Sequence, residues 1–91
     1  MKVIIKRPCD QFGEEATIPN TLKALQEAVG GYIETVTLDN GLVLICNEEG
    51  KLRGMQHNIF YGGHDFVGTI VMTGHDGDEL TSFPYGLGGE S

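Results

Sequence analysis

The stretch NTLKALQEAVGGYIETVTLDNGLVLICN, Asn20 to Asn47, decides the fold. Asn20 and Thr21 supply an N-cap, and Leu22, Leu25 and Val29 recur at i, i+3 and i+7, which predicts a helix with one apolar face. Gly30 and Gly31 end it, because glycine enters the left-handed region without steric penalty. Tyr32 to Leu38 is a β-branched and aromatic run, Asp39, Asn40 and Gly41 carry turn chemistry, and Leu42 to Cys46 is a second apolar run. The first strand places Tyr32, Glu34, Val36 and Leu38 on one face, and Ile33, Thr35 and Thr37 on a face expected to be half-exposed. The second strand does not alternate, so it is expected to lie enclosed between the helix and another layer.

Working outward, Lys2 to Lys6 holds Val3, Ile4 and Ile5 and predicts a central strand covered on both faces. Gln11 to Glu15 reads as a turn, and Ala16, Thr17 and Ile18 as a short strand closed by Pro19. Asn47 to Lys51 is a polar turn. Gly54 to Asp65 fits neither period, and Gly62 with Gly63 breaks any helix there. Phe66 to Thr73 resumes strand character, with Gly68 marking a bulge or a close backbone approach. His75 to Glu79 is an acidic turn, Leu80 to Phe83 a last short strand or lid, and Pro84 to Ser91 a flexible glycine-rich tail. The expected fold is α+β: a single domain over residues 1–83, with a mostly antiparallel sheet of five or six strands and one main helix packed on one face.

Composition narrows the function. The chain carries a net charge of -7, and all six basic residues precede Gly54. With no Lys or Arg beyond that point there is no basic footprint for a nucleic-acid backbone. No apolar run approaches a membrane span and none forms a signal peptide, so a cytoplasmic location with Cys9 and Cys46 reduced is expected.

Catalytic signals are absent. His57, His64 and His75 match no zinc spacing, and HDGDE at His75 to Glu79 lacks the register of a calcium loop, so neither metal nor cofactor is expected. Neither serine, Ser82 or Ser91, sits in a nucleophile elbow, and Cys46 in an apolar strand is expected to be inert. The residues suit binding better. Gly68 and Thr69, like Gly62 and Gly63, can offer backbone N–H groups to an anion; Lys51 and Arg53 can neutralise phosphate, and Tyr61 or Phe60 can stack on a base. The same glycines also serve ordinary tight turns, and the same aromatics a core.

The run GGYIETVTLDNGLVLICNEEGKLRG, Gly30 to Gly54, closely resembles the hallmark segment of a domain-of-unknown-function family of small proteins from bacteriophages and mobile elements of gut-type Gram-positive bacteria. Asn58 and the Gly68-Thr69 pair are similar to further family positions, whereas Met55, Gln56 and His57 stand where prolines are usual and Ile59 where a basic residue is common. The resemblance implies a counter-defence or host-takeover setting, in which oligomeric sponges bind nucleotide-derived immune signals. The resulting expectation is a non-enzymatic binding protein and homo-oligomer that sequesters a small phosphorylated ligand through Lys51, Arg53, Asn58, Tyr61, Gly68 and Thr69. The alternative is an acidic protein-interaction inhibitor of a host enzyme, with imitation of nucleic acid as one route, motivated by the -5 balance after Arg53.

Overall fold

In the computed structural model, which describes residues 1–85, the helix and hairpin lie where the local signals put them. Helix α1 (Leu22–Val29) starts at Thr21, whose side chain accepts from the Ala24 N–H, and stops at Gly30 with φ 80°. Strands β3 (Ile33–Thr37) and β4 (Leu42–Asn47) follow as an antiparallel pair. Leu38 N–H donates to Leu42 O and Gly41 N–H to Leu38 O, closing a three-residue loop with Gly41 left-handed.

The remaining strands are β1 (Lys2–Lys6), β2 (Glu14–Thr17), β5 (His57–Tyr61), β6 (His64–Val67), β7 (Ile70–Asp76) and β8 (Glu79–Thr81). A six-stranded antiparallel sheet has the order β2-β1-β7-β4-β3, with β8 added to β7. The α+β class is thus as expected. β1 is an interior strand, but the middle of the path belongs to β7, which collects β1, β4 and β8 as partners.

β4 explains the layering. All six of its residues are buried. Val43 and Ile45 face the helix with Val3, Leu25, Val29 and Val71, whereas Leu42, Leu44 and Cys46 face a second cluster with Phe66 and Ile70. That second layer is the β5–β6 hairpin, so the sheet is covered on one side by α1 and on the other by two strands that form their own small sheet.

Four expectations are corrected. Leu22 is 58% exposed: only the second turn of this two-turn helix reaches the core, through Leu25 and Val29. Gly54 to Asp65 is not irregular throughout, because Gly62 and Gly63 (φ 59° and 81°) make the two-residue turn of a hairpin. Phe66 to Thr73 is not one strand. Gly68, at φ 72°, turns the chain out of the hairpin and into the main sheet; its N–H donates to Gln56 O at 2.8 Å, and a Cβ there would lie 2.8 Å from Met55 Sδ. The acidic turn is reduced to Gly77 and Asp78, since His75, Asp76 and Glu79 belong to paired strands. At the C-terminal end the Tyr85 hydroxyl donates to Asn40 O at 2.9 Å; the rest of the expected tail, residues 86–91, lies outside the described residues.

Candidate binding surface

The hairpin has no backbone ladder to the main sheet, so side chains hold it there. The chief polar tie is Asn58, set at a register shift between His57 and Ile59 that aims it inward. Its Oδ1 accepts from Lys6 Nζ at 2.7 Å, and its Nδ2 donates to Lys6 O at 2.9 Å and Gly68 O at 2.7 Å. Lys6 is only 7% exposed, and among the described residues its ammonium has no carboxylate partner. One neutral amide therefore holds a buried cation, a strand and the Gly68 link together.

Three hollows surround the hairpin. Beside β6, one of about 310 Å³ is lined by Glu34, Cys46, Glu48, Lys51, His64 and Asp65, among others. At the hairpin tip, a more open one lies between Tyr61, Gly62 and His64 and the residues from Thr37 to Asn40. Beside β5, the third, of about 290 Å³, is walled by Leu42 and Leu44 of β4, Ile59 and Tyr61 of β5, Met72 of β7, and Phe83 and Tyr85. Among the described residues its one remaining wall residue is Asn40, and none of them brings a charged side chain into it.

Asn40 orders that rim. Its Oδ1 accepts from Leu42 N–H at 3.2 Å, its Nδ2 approaches the Tyr61 hydroxyl at 3.4 Å, and its carbonyl takes the Tyr85 hydroxyl. The Phe83 and Tyr85 rings meet edge-on with centroids 5.7 Å apart. Neither Asn40 nor Tyr85 was anticipated as a site residue. The available signal was the Asx turn that Asn40 makes, which fixes the side chain at the hairpin mouth.

The six anticipated residues do not converge. Asn58 and Gly68 share the buried node, with Thr69 half-buried next to it, but the Asn58 amide and the Gly68 N–H already have protein partners. Arg53 sits on an exposed turn and pairs with Glu49 at 3.2 Å. Lys51 borders the polar hollow and Tyr61 the other two. Around Lys51, the carboxylates of Glu34, Glu48 and Asp65 outnumber the basic groups and disfavour an anion.

Other chemistry is quiet. His57 Nδ1 lies 2.9 Å from Asp65 Oδ1 across the hairpin, and no group of three metal-ligating side chains forms among the described residues. Among these residues no helix is long and apolar enough to cross a membrane. Burial pushes the Cys46 thiol up, the nearby Glu34 carboxylate adds to the shift, and Lys51 opposes it. Cys46 is buried while Cys9 is exposed. One thiol per chain is therefore expected to react with a thiol reagent at mildly alkaline pH in the native protein, and both in denaturant. Two fast-reacting thiols in the native state would contradict this burial. Because the raised folded value keeps the thiol protonated, Cys46 leaves stability untouched below the ordinary thiol range and lowers it as pH rises through and above that range.

Helix, sheet and clamped hairpin define a small α+β domain with three hollows along the hairpin. A family model described as Domain of unknown function (DUF3846) matches residues 1–86, and the chain belongs to that family. Nothing among curated proteins or solved structures matches it.

Proposed function

We propose that this protein is a non-enzymatic binding protein that takes a bulky apolar side chain from a basic segment of a partner protein. The observation that carries this reading is the apolar hollow beside β5. Its volume of about 290 Å³ stands at the bottom of the range for small-molecule sites, which suits one or two side chains. Its walls are aliphatic and aromatic, with two tyrosine hydroxyls and Asn40 at the rim to orient a peptide backbone. A basic partner suits the net charge of -7 and the absence of any Lys or Arg after Arg53, and Asp39 is next to the rim residue Asn40 in the chain.

The resemblance of Gly30 to Gly54 to proteins of bacteriophages and mobile elements supports a setting in the host cytoplasm, where an acidic binder of this size acts as an inhibitor in counter-defence. Sequestration of a nucleotide-derived signal is the second reading. Lys51 and His64 at the polar hollow favour it, and the carboxylates beside them weigh against it.

The test is a methyl NMR titration with a lysine-rich peptide bearing one central Leu or Phe, run beside a panel of cyclic and ADP-ribose-derived nucleotides. The peptide is expected to shift Leu44, Ile59 and Met72 methyls, less so as salt is added, and its Ala-substituted counterpart to leave them in place. Shifts produced by a nucleotide around Lys51, with none from the peptide, would reverse the order of the two readings.

A further inference from the structure

β3 is an edge strand: it pairs with β4 on one side, and no described element occupies the other. The direction of its backbone groups is fixed by two bonds. Glu48 N–H donates to Tyr32 O, and Leu38 N–H donates to Leu42 O, so even-numbered residues turn their backbone groups toward β4. The N–H and C=O groups of Ile33, Thr35 and Thr37 consequently point away from the sheet.

The two edges of the sheet differ in how they are protected. β2, at the opposite end, presents Glu14 and Glu15 in a four-residue strand, with Pro19 just beyond it and Arg7 reaching Glu14 at 3.5 Å. β3 contains neither Lys nor Pro, and its single charge is Glu34. Short, charged or proline-flanked edges resist pairing, whereas an edge like β3 invites it.

The occupant is fixed by register. We propose that β3 pairs antiparallel with β3 of a second copy of this chain about a two-fold axis at Thr35, joining two sheets into one. Thr35 then faces its own copy, and Ile33 faces Thr37 on either side, as hydrogen-bonded pairs using the outward backbone groups. Between them, Glu34 falls opposite Val36 rather than opposite the other Glu34, so the two carboxylates are a diagonal apart. At the ends, exposed Tyr32 falls opposite Leu38, an aromatic on an aliphatic side chain. The side chains therefore fit the strand to itself, while the net charge of -7 on each copy opposes the association and makes it stronger as salt is added.

Sedimentation equilibrium of the full chain tests this with variants that act on one edge each. The wild type is expected to run at twice the 9.9 kDa chain mass. Thr35→Pro removes an outward N–H and no bond of the internal ladder, so it is expected to give a monomer with unchanged circular dichroism. Thr35→Lys, which keeps every backbone group and sets like charges opposite each other, is expected to do the same. Thr17→Pro on the β2 edge serves as the matched control and leaves the dimer intact. A monomeric wild type, or a dimer that survives both Thr35 variants, would overturn the proposal, as would a dimer broken only by Thr17→Pro.

Discussion

Asn58→Ala is expected to lower the unfolding free energy by about 3–5 kcal/mol, the range for removing one partner of a buried charged interaction. The loss is large because a single truncation strands three groups together: the Lys6 ammonium, the Lys6 carbonyl and the Gly68 carbonyl. A domain of this length has roughly 5–14 kcal/mol in total at about 0.05–0.15 kcal/mol per residue, so a fifth of that stability or more rests on one amide. Lys6→Met is the informative contrast. It leaves the Nδ2 bonds to both carbonyls in place, removes the buried charge, and idles only the Asn58 Oδ1, so a loss of no more than about 1–2 kcal/mol is expected. Urea unfolding followed by circular dichroism measures both. Equal losses in the two variants would show that stranding the lysine charge is not what makes Asn58→Ala costly.

What could be read in advance follows from the distance over which each cause acts. The Asn20 to Asn47 unit was legible because its determinants are local: Thr21 caps within three residues, Gly30 caps in place, and Asp39 to Gly41 closes a loop between adjacent strands. The burial of Leu42 to Cys46 on both faces was legible from the missing alternation. The β5–β6 hairpin was hidden by its own surface. His57, Phe60, His64 and Asp65 are exposed, and the register shift at Asn58 breaks the period that would have marked β5. The break at Gly68 was hidden for another reason: Val67 and Thr69 on its two sides are both β-branched strand formers, and only the left-handed backbone separates two strands of different sheets.

The candidate site fared differently. Asn58 and Gly68 were singled out for an anion, but the residue that claims Asn58 is Lys6, 52 positions away, and no local signal links them. Tyr61 was the anticipated residue that borders the apolar hollow, and its neighbours Asn40 and Tyr85 meet each other across a 45-residue separation that only the folded chain closes.

Phe66→Ala is expected to release the hairpin while the main sheet persists. Phe66 is 2% exposed and packs with Leu42, Leu44, Cys46 and Ile70, and truncating such a ring costs about 3–5 kcal/mol. The location of that cost matters more than its size. A two-stranded hairpin is marginal by itself, and β5 and β6 share no ladder with the other strands, so beyond Phe66 they are retained by Ile59, by the Asn58 node and by the contact of Gly62 with Leu38. The helix side of the sheet, with Val3, Ile45 and Val71, does not include Phe66. Removing the ring lowers the free energies of local opening and of global unfolding alike, because its contacts are absent from both open states, so the smaller of the two, release of the hairpin, is the one driven toward zero. In native-state hydrogen exchange, hairpin amides of the hydrogen-bonded positions, such as Tyr61, are expected to lose roughly a hundred- to a few thousandfold in protection, from about 1.4 kcal/mol per factor of ten. Amides of β1 and β7 start from the higher, global level and are expected to stay protected after a loss of similar factor. Because Ile59 and Tyr61 form one wall of the apolar hollow, the same variant should stop binding the Leu- or Phe-bearing peptide while keeping its sheet. Equal residual protection in both sheets would show instead that hairpin and sheet open as one unit.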